Sequence, residues 1–164
     1  MKKKYLIFSI VGLLSFVADH ATKYWARHSL PGEGIRQSVV ENFWDWKLAW
    51  NYGSAFSMFA GNDHARTILT VAGVVCLFFI FWMIKNTTEK QKLQHYSLGL
   101  IVGGAIGNIA DRIYFGKVTD FIEWRYYEKF VWPTFNVADV VLVIGIAFIF
   151  IDGFRKDEDE EKKA

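Results

Sequence analysis

Residues 65–84 read ARTILTVAGVVCLFFIFWMI, a run whose only charge, Arg66, stands at its start. At 1.5 Å of rise per residue a helix of this length crosses a hydrocarbon core about 30 Å thick. Three more stretches share its character. The first, about 5–27, carries Asp19 and Lys23 in its second half. The third, about 94–110, is shorter and rich in small residues. The fourth, about 135–152, begins polar with Asn136 and Asp139 and continues as VVLVIGIAFIFI. Hydrophobic residues are 52% and charged residues 22% of the 164-residue chain. That average decides nothing; the distribution does, because charges are thinned out of the four stretches and crowded between them. The expectation is one all-α integral-membrane domain over 1–154 with four transmembrane helices, followed by a charged, solvated and disordered tail, 155–164 (RKDEDEEKKA).

Lys2–Lys4 followed by the apolar run Tyr5–Ala18 also fits a cleaved leader, but three further membrane-length segments favour a retained first helix. Basic residues beside short connections set the orientation. Lys2–Lys4, Lys85, Lys90, Lys92 and the tail share one side, and 28–64 and 111–134 take the other. Both termini are therefore expected in the cytoplasm, with two substantial external segments. In the first of these, 43–51 (FWDWKLAWN) alternates: Trp44, Trp46, Leu48 and Trp50 against Asp45, Lys47, Ala49 and Asn51. Period two indicates a β-strand, with a turn at Gly53 and a second short strand over 55–59. The Trp row suits the lipid headgroup layer and equally suits a cover over the helix bundle; the pattern leaves both open.

The net charge of +2 without a basic stripe argues against nucleic acid as a partner. Cys76, alone inside an apolar run, offers no disulfide or metal cluster and reads as a small core-filling hydrophobe. His20, His28, His64 and His95 lack ligand spacing, so no metal is expected. Gly99, Gly103 and Gly107, four residues apart in the third span, form a stripe that lets helix backbones approach closely in lipid.

Ionisable groups at membrane depth are expensive and are functional candidates by default. Here they gather toward the external face: Asp19 with Lys23; Asn51 in NYGSAF; Asn108, Asp111 and Arg112 in GNIADR; Asp120 in VTDF; Asn136 and Asp139 in FNVAD. Each has a plainer reading. Asp19 and Lys23, four apart, can neutralise each other; Asp111 and Arg112 can seal a helix end; Asn136 and Asp139 resemble an N-cap with its supporting carboxylate. If Asp120 and Asp139 face each other in a semi-apolar pocket, however, both cannot ionise cheaply, and the pair keeps one proton near neutrality. Such a pair supplies a general base for water and an acid for a peptide carbonyl. A proton or cation relay through Asp19, Asp111, Asp120 and Asp139 is the competing reading, and a noncatalytic scaffold a third. The relay predicts polar groups through the whole depth, whereas the second span and the back half of the fourth are almost wholly apolar.

Taken in order, D-x-x-x-K (Asp19, Lys23), N-x-G-x-A-F (Asn51, Gly53, Ala55, Phe56), G-G-A-x-G-N-x-x-D-R (Gly103 to Arg112), V-x-D-F (Val118, Asp120, Phe121) and F-N-x-A-D (Phe135 to Asp139) resemble the lipoprotein signal peptidase family, signal peptidase II. The resemblance implies a four-helix bacterial inner-membrane aspartyl peptidase with a small external β-sheet, or cradle, a second external loop segment and no cofactor. Its substrates would be diacylglyceryl-modified prolipoproteins in membrane lipid, cut just before the lipidated cysteine. By motif the catalytic pair maps onto Asp120 and Asp139, with Asp111 a rival for the first role. Asp19, Lys23, Asn51, Gly53, Asn108, Asp111, Arg112 and Asn136 would bind substrate or support the site. His20 departs from the family's usual glutamine and introduces a possible pH dependence beside Asp19.

Overall fold

A computed structural model of the chain describes residues 2–53 and 64–161. Its elements are α1 (Lys3–Ser29), β1 (Arg36–Val40), β2 (Trp44–Asn51), α2 (Ala65–Asn86), α3 (Lys92–Phe115), β3 (Val118–Tyr126), β4 (Phe130–Val131) and α4 (Val137–Glu161). All four helices are long and apolar enough to cross a membrane. The strand expected over 55–59, with motif residues Ala55 and Phe56, lies outside the described residues.

The bundle is organised around α3. In its apolar window 56% of residues are buried, against 11% in α2 and in α4, so α3 is the helix the others wrap. The glycine stripe explains how. A Cβ on Gly103 would stand 2.5 Å from the Gly12 carbonyl oxygen and 2.5 Å from Ser15 Cβ, both on α1. One on Gly104 would meet the Ala138 carbonyl oxygen of α4 at 2.6 Å. Adjacent glycines thus admit a helix on each side of α3, and dispersion at this close range holds the bundle where lipid offers no hydrophobic drive. Away from these seams the helices present large apolar side chains outward, Phe78, Trp82 and Val143 among them. Cys76 belongs to that outer face of α2. It does not fill the core as expected; in a membrane the outside of the bundle is itself apolar, so a small hydrophobe is equally at home there.

α3 continues to Phe115, five residues past the expected end, and closes on a left-handed Gly116 whose N–H bonds the Arg112 carbonyl. That extension puts Asp111 and Arg112 on the helix rather than in a loop. The backbone of α4 likewise stays helical to Glu161, where a disordered tail was expected; Arg155–Glu161 holds no glycine or proline to stop it. At the opposite end of the bundle from the sheet, Lys4 Nζ donates to the carbonyls of Lys85 (2.9 Å) and Thr87 (2.6 Å). The N-terminus and the α2–α3 connection therefore share one end, as the basic residues suggested.

The four strands form one antiparallel sheet in the order β1-β2-β3-β4. The second external segment is thus more than a loop: it supplies β3 and β4 and pairs with the first. The period-two pattern over 43–51 holds only as far as Trp46. Trp46 pairs with Ile122, but Ala49 pairs with Asp120, so β2 carries one extra residue between them. This bulge re-phases the strand and brings Asn51 onto the face of Asp120, where unbroken alternation would have set it opposite Trp46. Of the Trp row, Trp46 lies edge-on to Trp25 of α1 at 5.2 Å and beside Phe121; with Ala26, Leu30 and Leu48 these form the packing between sheet and bundle. Buried Asp45 and Glu123 are neutralised by Arg125 (2.5 Å) and by Lys47 (2.6 Å) with Arg36.

Gly103→Ala is expected to lower the melting temperature in detergent, with a destabilisation of about 1–3 kcal/mol, because its neighbours are backbone atoms and a Cβ, which cannot rotate away. Gly153→Ala, where a Cβ meets nothing within 4 Å, should be neutral or stabilising by up to about 1 kcal/mol. Thermal unfolding of the two variants side by side checks this.

Candidate active site

The polar residues singled out from the sequence meet at the sheet end of the bundle, and Asn136 is where they join. Phe135 exchanges hydrogen bonds with Ile122 of β3 (3.0 and 2.9 Å), so the residue before α4 is laid alongside the strand that carries Asp120. Asn136 then caps α4. Its Oδ1 accepts the Asp139 N–H at 3.0 Å, and Asp139 Oδ2 accepts the Asn136 N–H at 3.1 Å. This is the reciprocal N-cap the spacing suggested, but it leaves the Asn136 amide free to donate elsewhere. That amide donates to Asp120 Oδ1 at 2.6 Å and to Asn108 Oδ1 at 3.3 Å. One residue therefore grips both carboxyls, Asp120 by its side chain and Asp139 by its backbone.

The surrounding amides complete the set. Asn51, delivered by the β2 bulge, donates to Asp120 Oδ2 at 3.0 Å, and its own Oδ1 accepts the Gly53 N–H at 3.0 Å. Asn108 donates to Asp139 Oδ1 at 2.9 Å and accepts from Lys23 Nζ at 2.9 Å. Lys23, fully buried, also stands 2.8 Å from Asp19 and 3.8 Å from Asp111. Asp19 does more than neutralise Lys23: its Oδ1 accepts the Ala138 N–H at 2.9 Å, an anion on the first turn of α4 where the helix dipole favours it. Gly107 has to be glycine here, since a Cβ would overlap the Asp19 carboxylate. Arg112 reaches the carbonyls of Asn108 (3.3 Å) and Gly53 (3.5 Å).

Asp111 is held by other partners. Its Oδ2 accepts the Thr119 N–H at 2.8 Å, and its Oδ1 lies 3.5 Å from Arg27 Nη1. Arg27 and Thr119, which the sequence reading passed over, are joined by a 2.8 Å hydrogen bond. A signal for Arg27 was present: Asp19, Lys23 and Arg27 recur at i, i+4 and i+8 and so share a helix face. His20 faces outward and stacks on Phe16, because neighbours on a helix point about 100° apart; it does not touch the Asp19 carboxylate.

The cluster sets four carboxyls (Asp19, Asp111, Asp120, Asp139) among three cations (Lys23, Arg27, Arg112), so one retained proton leaves it neutral. Asp120, on the strand, can hold that proton near neutral pH. Burial pushes its carboxyl up to about 7, and the negative charge of Asp139 adds to the rise; the amides of Asn51 and Asn136 pull the other way.

Fold and site together define a polytopic membrane protein that gathers Asp19, Lys23, Asn108, Asp111, Asp120 and Asn136, all buried, at the end of the bundle that carries the sheet. Comparison with known proteins gives the family. The model of signal peptidase (SPase) II matches residues 11–155. The lipoprotein signal peptidase of Dichelobacter nodosus is 38% identical over 146 residues, 88% of this chain and 91% of that one. That of Geobacter metallireducens is 35% identical over 164 residues, 99% of each chain. A bacterial membrane enzyme solved by the in meso method superposes with a TM-score of 0.78 at 26% identity, covering 99% of this chain and 93% of its own. The chain belongs to the signal peptidase II family: it is a multi-pass bacterial membrane peptidase.

Carboxyl-resolved NMR of Asp120 should find a titration near pH 7. Asn51→Val removes a donor to the ionised form and should move the titration to higher pH; Asp139→Asn removes a neighbouring negative charge and should move it lower. No movement in either variant would mean the two neighbours do not govern Asp120.

Proposed function

We propose that this chain is an aspartic-type endopeptidase that removes the signal peptide from diacylglyceryl-modified prolipoproteins, cutting on the N-terminal side of the lipidated cysteine. The observation that carries the reading is Asn136, which holds Asp120 through its amide and Asp139 through its backbone N–H while Asp120 keeps a proton near neutrality. Its relatives' name, lipoprotein signal peptidase, supplies the substrate class.

The pair carries one proton. Water placed between the carboxyls loses a proton to the ionised member as its oxygen attacks the scissile carbonyl carbon, and the protonated member donates to the carbonyl oxygen. The resulting gem-diol collapses with return of one proton to the leaving nitrogen. The C–N bond breaks, releasing the signal peptide as a carboxylic acid and the lipidated cysteine as a new amino terminus. Asn51 and Asn108, each donating to one carboxyl, hold the pair's geometry; Asp19, Lys23 and Asp111 brace the helices beneath it; Arg112, against the Gly53 carbonyl, borders the substrate side.

The basic residues around Lys4, Lys85 and Lys90 mark the cytoplasmic end, which sets the sheet and the site at the external face of the inner membrane. A substrate anchored by acyl chains and an apolar signal helix arrives at that depth without leaving the lipid.

Purified protein in lipid should cleave a diacylglyceryl-modified prolipoprotein, and Asp120→Asn and Asp139→Asn should each lower kcat by about a thousandfold or more while staying folded. Asp111→Asn should lose stability at least as much as rate. Loss confined to Asp111 and Asp139 variants would transfer the first role to Asp111; a folded wild type that cuts no modified substrate would sink the reading. Turnover should also fall as pH rises through about 7, where Asp120 gives up its proton.

A further inference from the structure

Arg27 has two partners of different kinds. Its Nη1 donates to the neutral Thr119 Oγ1 at 2.8 Å, while the charged Asp111 Oδ1 is farther, at 3.5 Å. Arg27 therefore serves Asp111 as a countercharge, but an ion pair alone does not account for its shorter bond to an uncharged partner. The guanidinium is further steadied over the Phe115 ring, 4.6 Å from its centre, and is 11% exposed. Thr119, fully buried, gives its N–H to Asp111 Oδ2 at 2.8 Å. The residue immediately before Asp120 is thus gripped at both its backbone N–H and its hydroxyl, from α3 and from α1.

Successive strand residues point to opposite faces. A grip on Thr119 therefore adds to the β2 ladder and Phe135 a hold on the rotation of β3 just where Asp120 reaches toward Asn136. We propose that Arg27 is a positioning residue for the site: through Thr119 it sets the placement of the Asp120 carboxyl. The proposal rests on the reading of Asp120 as half of the working pair. It explains why a cation stands one turn beyond the Asp19–Lys23 pair, on a helix that sends no carboxylate to Asn136.

The test measures kcat and KM on a diacylglyceryl-modified prolipoprotein for Arg27→Leu, Thr119→Val, the double variant and Thr119→Ser, each per mole of folded enzyme. Arg27→Leu and near-isosteric Thr119→Val should each lower kcat by about tenfold with KM within about twofold, as for a misplaced reacting group. The double variant should be no worse than the worse single one, and Thr119→Ser, which keeps the hydroxyl, should stay near wild type. In the two defective singles the alkaline limb of kcat/KM should move to lower pH as Asp120 becomes better hydrated. Additive losses, unchanged kcat, or a deficit explained wholly by the unfolded fraction would overturn the proposal. Asp120→Asn in the same assay keeps the two ideas apart. If it is inactive while Arg27→Leu and Thr119→Val match wild type, only the role of Arg27 fails. If it turns over normally, the pair fails and this proposal with it.

Discussion

The Asn136 amide, donating to Asp120 and Asn108 while its own backbone N–H serves Asp139, is the contact on which the rest of the site depends. Four carboxyls at the end of an apolar bundle are tolerable only if their oxygens find donors and their charges are matched. Asn136 meets that demand for two of them, Asp120 and Asp139. Its position at the start of α4 ties their geometry to the packing of α4 on α3.

That seam in turn explains features that look merely structural. The glycines of α3 let α1 and α4 approach from both sides, and it is this closeness that allows Asp19 on α1 to reach the Ala138 N–H of α4. Lys23, buried among Asp19, Asn108 and Asp111, links α1 to α3 by charge where the glycines link them by contact. The β2 bulge acts at the other wall: a single extra residue turns Asn51 toward Asp120. Packing, charge pairing and strand register thus converge on one small volume from three helices and two strands.

Much of this was legible in the sequence. Membrane spans announce themselves by composition, and Asp19, Lys23, Asn51, Asn108, Asp111, Asp120, Asn136 and Asp139 stand out because polar groups are costly where they occur. What escaped depended on contacts distant in sequence. The pairing of β2 with β3 joins segments about seventy residues apart, and no local pattern in VTDFIEW announces it. The bulge is invisible to period-two counting, which assumes the register it is meant to reveal. Arg27 was passed over because a basic residue near the end of a span reads as an interfacial anchor, and its partner Thr119 is supplied by a strand that had not been foreseen. Cys76 was misplaced because apolar residues in a membrane have two apolar environments to choose from, and His20 because adjacency in sequence is not adjacency on a helix.

In the proposed reaction water, rather than a side chain, is the nucleophile, activated by Asp120 and Asp139. One turnover in ¹⁸O-labelled water, with enzyme in excess and both product and enzyme read by mass spectrometry, tests this most directly. One ¹⁸O should appear in the new carboxylate of the released signal peptide and none in peptides containing Asp120 or Asp139. Label in either aspartate, the mark of an acyl-enzyme opened by water at the aspartyl carbon, would mean that a side chain attacks first and would contradict the proposed reaction.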